Sequence, residues 1–234
     1  MRNEITRGMK DSIPICAGYL AVGFTFGIAA AAQGIDAFGA GLICVTNVTS
    51  AGQFAGLTVI AAGAPLVEMA LTQLIINLRY LLMSTSLSQK FDPSIKWFEK
   101  CIMAFGVTDE IFALVSTQKG KVNRYYIYGL MFSCIAAWTC GGFFGAFASS
   151  AMPAFISSAL GIAIYGMFMA IIIPPAKHER SVTAVILIAA VLSSALYWIP
   201  GLNNISSGMA IIICTVVAAA AGAIIHPVEE EDAA

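Results

Sequence analysis

Long apolar runs separated by short polar breaks set the pattern of this chain. Residues 13–32, 66–87, 127–149, 182–199 and 205–225 each approach the ~20 apolar residues that cross a bilayer as a helix. None shows the period-two alternation that a membrane β-barrel strand requires, so the chain reads as all-α. The runs at 37–62 and 101–118 differ, because each is interrupted in its middle. The first interruption is Thr46-Asn47-Val48-Thr49-Ser50-Ala51-Gly52-Gln53, and the second is Gly106-Val107-Thr108-Asp109-Glu110. Such stretches suit unwound backbone, which is tolerated at membrane depth only against protein or a water-filled cavity. They predict two broken, re-entrant pairs of half-helices, with Thr108 or Asp109 as N-cap of the last half. Full spans are also expected at 125–149, 154–174, 182–199 and 205–226. The expectation is a polytopic integral membrane protein of one domain, 1–234, with about six full transmembrane helices plus two re-entrant segments. Eight full spans is the alternative.

Composition agrees with this picture. Hydrophobic residues make up 59% of the 234 positions and charged residues 11%, against about 25% charged in soluble domains. Eleven of the twelve Lys and Arg form four clusters: Arg2/Arg7/Lys10, Lys90/Lys96/Lys100, Lys119/Lys121/Arg124 and Lys177/Arg180. Cytoplasmic loops collect Lys and Arg. The connections 34–36, 63–65, 149–153 and 200–204 carry neither and are expected outside. All four basic clusters fall inside, with the N-terminus cytoplasmic, only if 37–62 and 101–118 dip in and return. The basic start resembles a signal peptide, but the run after it is long for one, and an uncleaved first helix is expected. The acids Glu229, Glu230, Glu231 and Asp232 read as a solvated tail. The cysteines Cys16, Cys44, Cys101, Cys134, Cys140 and Cys214 lack metal-ligand spacing and read as small core hydrophobes. His178 and His226 fall at membrane boundaries and read as interface residues. Nothing in the charge pattern suggests nucleic acid, and no metal or cofactor is expected.

The twelfth basic residue is Arg79, near the middle of the run 66–87. A charge there costs roughly 2.5–3.5 kcal/mol on insertion scales unless it finds a partner, and usually marks a pathway for something polar. Broken segments entering from opposite faces point to a transporter site at the midplane, although no strong internal repeat is visible. The candidate substrate-binding or coupling residues are Asn47, Thr49, Ser50, Gln53, Asn77, Arg79, Thr108, Asp109 and Glu110, with Glu68 as a further polar residue near its helix end. Arg79 and half-helix N-termini suit a carboxylate, whereas Asp109 or Glu110 suits an ammonium or a relayed proton. The competing structural roles are an ion pair of Arg79 with Asp109 or Glu110, and service to the freed backbone by Asn47, Thr49, Ser50 and Gln53. Gly141, Gly142 and Gly145 suggest close helix packing. No phosphate-binding loop is present, so pumping by this chain would be secondary. An enzyme using Asp109 and Glu110 as acid and base lacks a nucleophile or metal set and is not expected. A channel for small polar solutes and a non-transporting scaffold subunit are the remaining rivals to a transporter.

Several of these residues fall in recognisable blocks. Ser50-Ala51-Gly52-Gln53-Phe54-Ala55-Gly56 resembles the AGxxQFA stretch of the AzlC-type branched-chain amino-acid exporters. Asn77-Leu78-Arg79-Tyr80, with Met83-Ser84-Thr85-Ser86-Leu87 after it, resembles that family's Asn-Leu-Arg-His/Tyr signature. Thr108-Asp109-Glu110-Ile111-Phe112-Ala113-Leu114 resembles its Thr-Asp-Glu-x-Phe-Ala-Leu block. Ile13-Pro14 through Gly23-Phe24-Thr25-Phe26-Gly27 is similar to its first helix, with Thr25 where a proline is usual. The likeness runs in order over about residues 8–145. It implies a multi-pass inner-membrane exporter of valine, leucine, isoleucine or methionine. It also implies a separately encoded small AzlD-type membrane subunit. A homo-oligomer is a further possible assembly.

Overall fold

The computed structural model describes residues 2–149, 151–152, 169, 172–173, 176–200, 202 and 204–225. Among them are ten helices: α1 (Arg2–Asp11), α2 (Ile13–Ala32), α3 (Ala37–Thr46), α4 (Ser50–Ala61), α5 (Leu66–Lys90), α6 (Trp97–Phe105), α7 (Asp109–Ser116), α8 (Arg124–Ser149), α9 (Arg180–Trp198) and α10 (Ser207–Ile225). Five of these, α2, α5, α8, α9 and α10, are long and apolar enough to cross a membrane. The expected span 154–174 falls almost wholly outside the described residues, as do His226 and the acidic tail. Bulky apolar side chains such as Leu82 (73% exposed) and Val191 (69% exposed) point outward, as a lipid-facing surface requires. The fold is an all-α, polytopic membrane architecture.

The chain forms two compact units, Met1–Phe54 with Asn77–Ala163, and Ala55–Ile76 with Ile164–Ala234. The first is built on α8. Lipid is as apolar as leucine, so membrane helices associate through close packing rather than hydrophobic burial. The sequence supplies this through glycines four apart on both partners, Gly23 and Gly27 on α2, Gly141 and Gly145 on α8. A Cβ on Gly23 would stand 2.7 Å from the Trp138 carbonyl, and one on Gly141 2.7 Å from the Leu20 carbonyl. A Cβ on Gly145 or Gly27 would overlap the Phe24 or Gly142 carbonyl outright. The expected packing role is therefore met by backbone contact at Gly141 and Gly145, while Gly142 makes room for the Cys44 side chain of α3. α1, which apolar run length does not reveal, docks on α8 in the same way. Gly8 faces the Tyr126 carbonyl and Gly129 the Ile5 carbonyl, while the Tyr126 hydroxyl donates to Asp11 at 3.0 Å.

Both interrupted runs are pairs of half-helices. α3 and α4 have 10 and 12 residues, each about half of a ~30 Å hydrocarbon core at ~1.5 Å per residue. α2 ends at Gly34, whose φ of +80° suits a left-handed helix stop, and Asp36 caps α3 by accepting from Gly39 N at 2.7 Å. α6 begins at Trp97, earlier than the 101 expected, because Glu99 reaches back to accept from Lys96 N at 2.9 Å. The two ends of the α6–α7 segment lie side by side. Lys90 Nζ donates to the carbonyls of Ser116 and Gln118, and Val122 N donates to Lys90 O at 2.8 Å. Arg124 holds both oxygens of Glu99 at 2.7 and 2.9 Å and the Ser94 carbonyl at 2.7 Å. The segment therefore leaves and returns at one end of the unit, as a re-entrant hairpin does.

In the second unit Glu68 of α5 receives the Ser206 hydroxyl at 2.5 Å and Gly208 N at 3.1 Å, so it caps the start of α10. The cysteines are free. Cys44 and Cys134 are buried as expected, whereas Cys101 and Cys140 face outward, a departure from the core reading.

The glycine contacts predict a contrast between two variants. Gly145→Val should lower the melting temperature of detergent-purified protein sharply, by a change on the order of 3 kcal/mol or more, because rigid backbone cannot yield to the added side chain. Gly18→Ala, whose Cβ meets nothing within 4 Å, should leave the melting temperature unchanged or slightly raised.

Candidate functional site

The two helix breaks have the same local design. Each second half-helix is preceded by Val-Thr, and the threonine oxygen accepts the N–H three residues on. Thr49 accepts from Gly52 N at 3.3 Å and Thr108 from Ile111 N at 3.3 Å. Of the two residues considered for the later cap, Thr108 takes the role, and Asp109 becomes the first residue of α7. A carboxylate in a helix's first turn faces its exposed N–H groups and is stabilised there. Asn47 closes α3 through its backbone, with N–H donated to Ile43 O at 2.9 Å, and Ser50 opens α4.

The breaks meet α8 near its middle. A Cβ on Gly106 would run into the Met131 side chain. Trp138, about two helical turns beyond Met131, donates Nε1–H to Gln53 Oε1 at 2.8 Å. Gln53 is 2% exposed and donates onward to Cys44 Sγ at 3.5 Å. Tyr19 of α2 stands between the two breaks. Its ring meets Trp138 edge-on at 5.5 Å, and its hydroxyl lies 2.6 Å from both Thr108 Oγ1 and Glu110 Oε2. A hydroxyl has one proton to give, so with Tyr19 donating to Glu110 the Thr108 hydroxyl is the one that donates to Tyr19.

α5 brings the third component. The Thr49 hydroxyl donates to Asn77 Oδ1 at 2.8 Å. Two residues on, Arg79 Nη2 lies 3.0 Å from Asp109 Oδ2, with the two side chains 42% and 40% exposed. The guanidinium also sits 5.0 Å from the Tyr80 ring centre and donates to its hydroxyl at 3.2 Å. Within the first unit, Thr49, Gln53, Asn77, Arg79, Thr108, Asp109 and Glu110 are thus all engaged in polar contacts around the breaks. Arg79 pairs with Asp109, and Glu110 binds Tyr19 instead. Glu68 is engaged in the second unit as the α10 cap.

Sequence reasoning missed Tyr19 and Trp138. Both are aromatic residues with one polar handle in otherwise apolar helices, and buried Tyr and Trp need a partner for that handle. That requirement was the available signal, but the partners lie 89 and 85 residues away in sequence.

The family model for the AzlC protein matches residues 14–152, a stretch holding both breaks, Arg79, Tyr19 and Trp138. The chain belongs to the AzlC family. Among curated relatives of this AzlC-family chain, Inner membrane protein YgaZ of Escherichia coli K12 is 30% identical over 203 residues, covering 82% of each chain. An uncharacterized membrane protein of Archaeoglobus fulgidus is 31% identical over 179 residues, covering 75% of this chain and 78% of its own. One of Helicobacter pylori strain 26695 is 28% identical over 155 residues, covering 63% of this chain and 67% of its own. No solved structure matches. Family and architecture together support a multi-pass membrane protein with a transport-related role.

Trp138→Phe keeps an aromatic ring but removes the N–H, leaving Gln53 Oε1 buried without its donor. The variant should lose about 1–3 kcal/mol of stability. Combining it with Gln53→Leu should recover part of that loss, measured as melting temperatures of the singles and the double in a mutant cycle.

Proposed function

We propose that this AzlC-family protein is a secondary-active transporter that exports branched-chain or similar apolar amino acids, such as valine, leucine, isoleucine and methionine. It works with a small AzlD-type membrane subunit in the bacterial inner membrane, with its N-terminus in the cytoplasm. The observation that carries this reading is the Arg79–Asp109 pair beside Thr108, at the start of a half-helix in an otherwise apolar unit. A zwitterion needs one group of each sign, and an apolar side chain needs apolar walls. Discontinuous helices with exposed termini at depth support such a site. The residues supplying it lie within the part of the chain that the AzlC model matches.

The orientation draws on the same unit. Arg7 Nη2 donates to Gln118 Oε1 at 2.5 Å, Lys121 Nζ donates to Gln89 O at 2.7 Å, and Arg124 grips Glu99. Three basic clusters are therefore gathered at one end of the first unit. An excess of Lys and Arg favours the cytoplasmic side.

Reconstituted protein, alone or with a co-purified small subunit, should show saturable counterflow of radiolabelled valine that excess leucine or methionine blocks. A channel would give neither saturation nor counterflow. Arg79→Ala should abolish this flux while the protein remains in the membrane; wild-type flux in that variant would remove Arg79 from the site. In intact cells, a cysteine at the exposed position of Lys96 should react with thiol reagents only from the cytoplasmic side. Labelling from outside would overturn the orientation.

A further inference from the structure

Two ion pairs join distant parts of the first unit, and they are built differently. Arg124 holds both oxygens of Glu99 and two atoms of Ser94, with the Arg124 and Glu99 side chains 25% and 19% exposed. That pair is a rivet. Arg79 meets Asp109 with Nη2 3.0 Å from Oδ2, and both side chains are more than a third exposed. Each half of the looser pair has independent support when the other is taken away. Asp109 keeps the favourable field of the α7 N-terminus, in whose first turn it lies, and Arg79 keeps the face and hydroxyl of Tyr80. Asn77 remains fixed to Thr49, and Glu110 to Tyr19, so the surrounding frame does not depend on the pair.

We propose that the Arg79–Asp109 pair is the substrate-free form of a partner-exchange site, which an incoming zwitterion opens by inserting between the two side chains. The substrate carboxylate takes Arg79 and its ammonium takes Asp109. Two charge-assisted contacts replace one, and the net charge of the site does not change. No proton or electron is transferred in the step. The exchange requires both charges on the ligand at once, because a ligand with only one would leave the opposite side chain without a counter-charge, held only by Tyr80 or by the α7 terminus. This inference rests on the proposed transport of amino acids and adds to it the way the ligand is admitted.

Counterflow of labelled valine by the wild-type protein is the baseline. If valine, leucine and methionine all fail to exchange, the amino-acid reading and this inference fall together. Given exchange, N-acetylvaline, valinamide and 4-methylpentanoate, which lack one charge each, should not compete at concentrations where leucine competes fully. Competition by any of them as strong as that of leucine would overturn partner exchange while leaving the transport reading intact. The neutral double variant Arg79→Gln with Asp109→Asn removes both charges with modest change in shape and tests a merely structural role. It should fold, melting within a few degrees of wild type, yet lose exchange by about 100-fold or more, the scale of two charge-assisted hydrogen bonds. The rise in melting temperature that valine gives the wild type should also vanish. Exchange within about threefold of wild type in the folded double variant, less than one such bond is worth, would overturn the proposal. The competition result decides the matter should the double variant not fold.

Discussion

Backbone-to-backbone contact between α2 and α8 is the constraint from which the rest of the first unit follows. In lipid there is no gain from hiding one apolar side chain against another, so helices must come close enough for dispersion and weak polar contacts to hold them. Gly23, Gly27, Gly141 and Gly145 remove the side chains that would keep the two axes apart. Because α2 lies so close to α8, Tyr19 reaches both Trp138 and the α7 cap. Because α8 is fixed, Trp138 can hold Gln53 and so settle where α4 begins. The polar groups around the breaks are thus positioned by glycine packing one to two turns away, and their chemistry depends on residues that have none.

Much of this is legible in the order of residues alone. Hydrophobic run length marks the long helices, since a bilayer of fixed thickness demands a fixed number of residues. The polar interruptions at Asn47–Thr49 and Gly106–Thr108 mark the breaks, because β-branched and glycine positions flanked by a capping threonine stop one helix and start another. Arg79 announces itself by the cost of burying a charge. The choice among partners is not legible in the same way. Arg79 has two neighbouring carboxylates to choose from, and only the placement of Thr108 as cap, which turns Asp109 and Glu110 to different sides of α7, assigns one to Arg79 and the other to Tyr19. α1 escapes because its ten polar-rich residues carry no run-length signal, and its docking depends on Gly8 meeting a helix more than a hundred residues away. The earlier start of α6 depends on Glu99 folding back onto Lys96, a local bond that apolar run length does not encode.

The two broken segments also show how one solution was used twice. Val48-Thr49 and Val107-Thr108 each bury the valine, cap with the threonine, and follow with Phe-Ala about one turn later. The likeness is too short to appear as a repeat along the chain, and it is plain once both caps are seen to make the same bond to the third residue of the helix. What differs is the charge delivered. The first break presents only amides and hydroxyls, whereas the second presents two carboxylates, so the asymmetry of the site lies in α7.

The α6–α7 hairpin is tied at its base from both directions, by Lys90 and Val122 on one side and by Arg124 and Glu99 on the other. A strip clamped at both feet cannot slide along its length. Between the feet stands the crown, Gly106-Val107-Thr108, next to the two acids, and it is held in turn by Met131 against Gly106 and by Tyr19 on Thr108. Any travel of Asp109 is therefore a pivot of small radius about fixed abutments. A pivot of that kind turns a carboxylate through an angle without carrying it along the hairpin, so any longer displacement that the proposed transport requires has to come from some other part of the molecule.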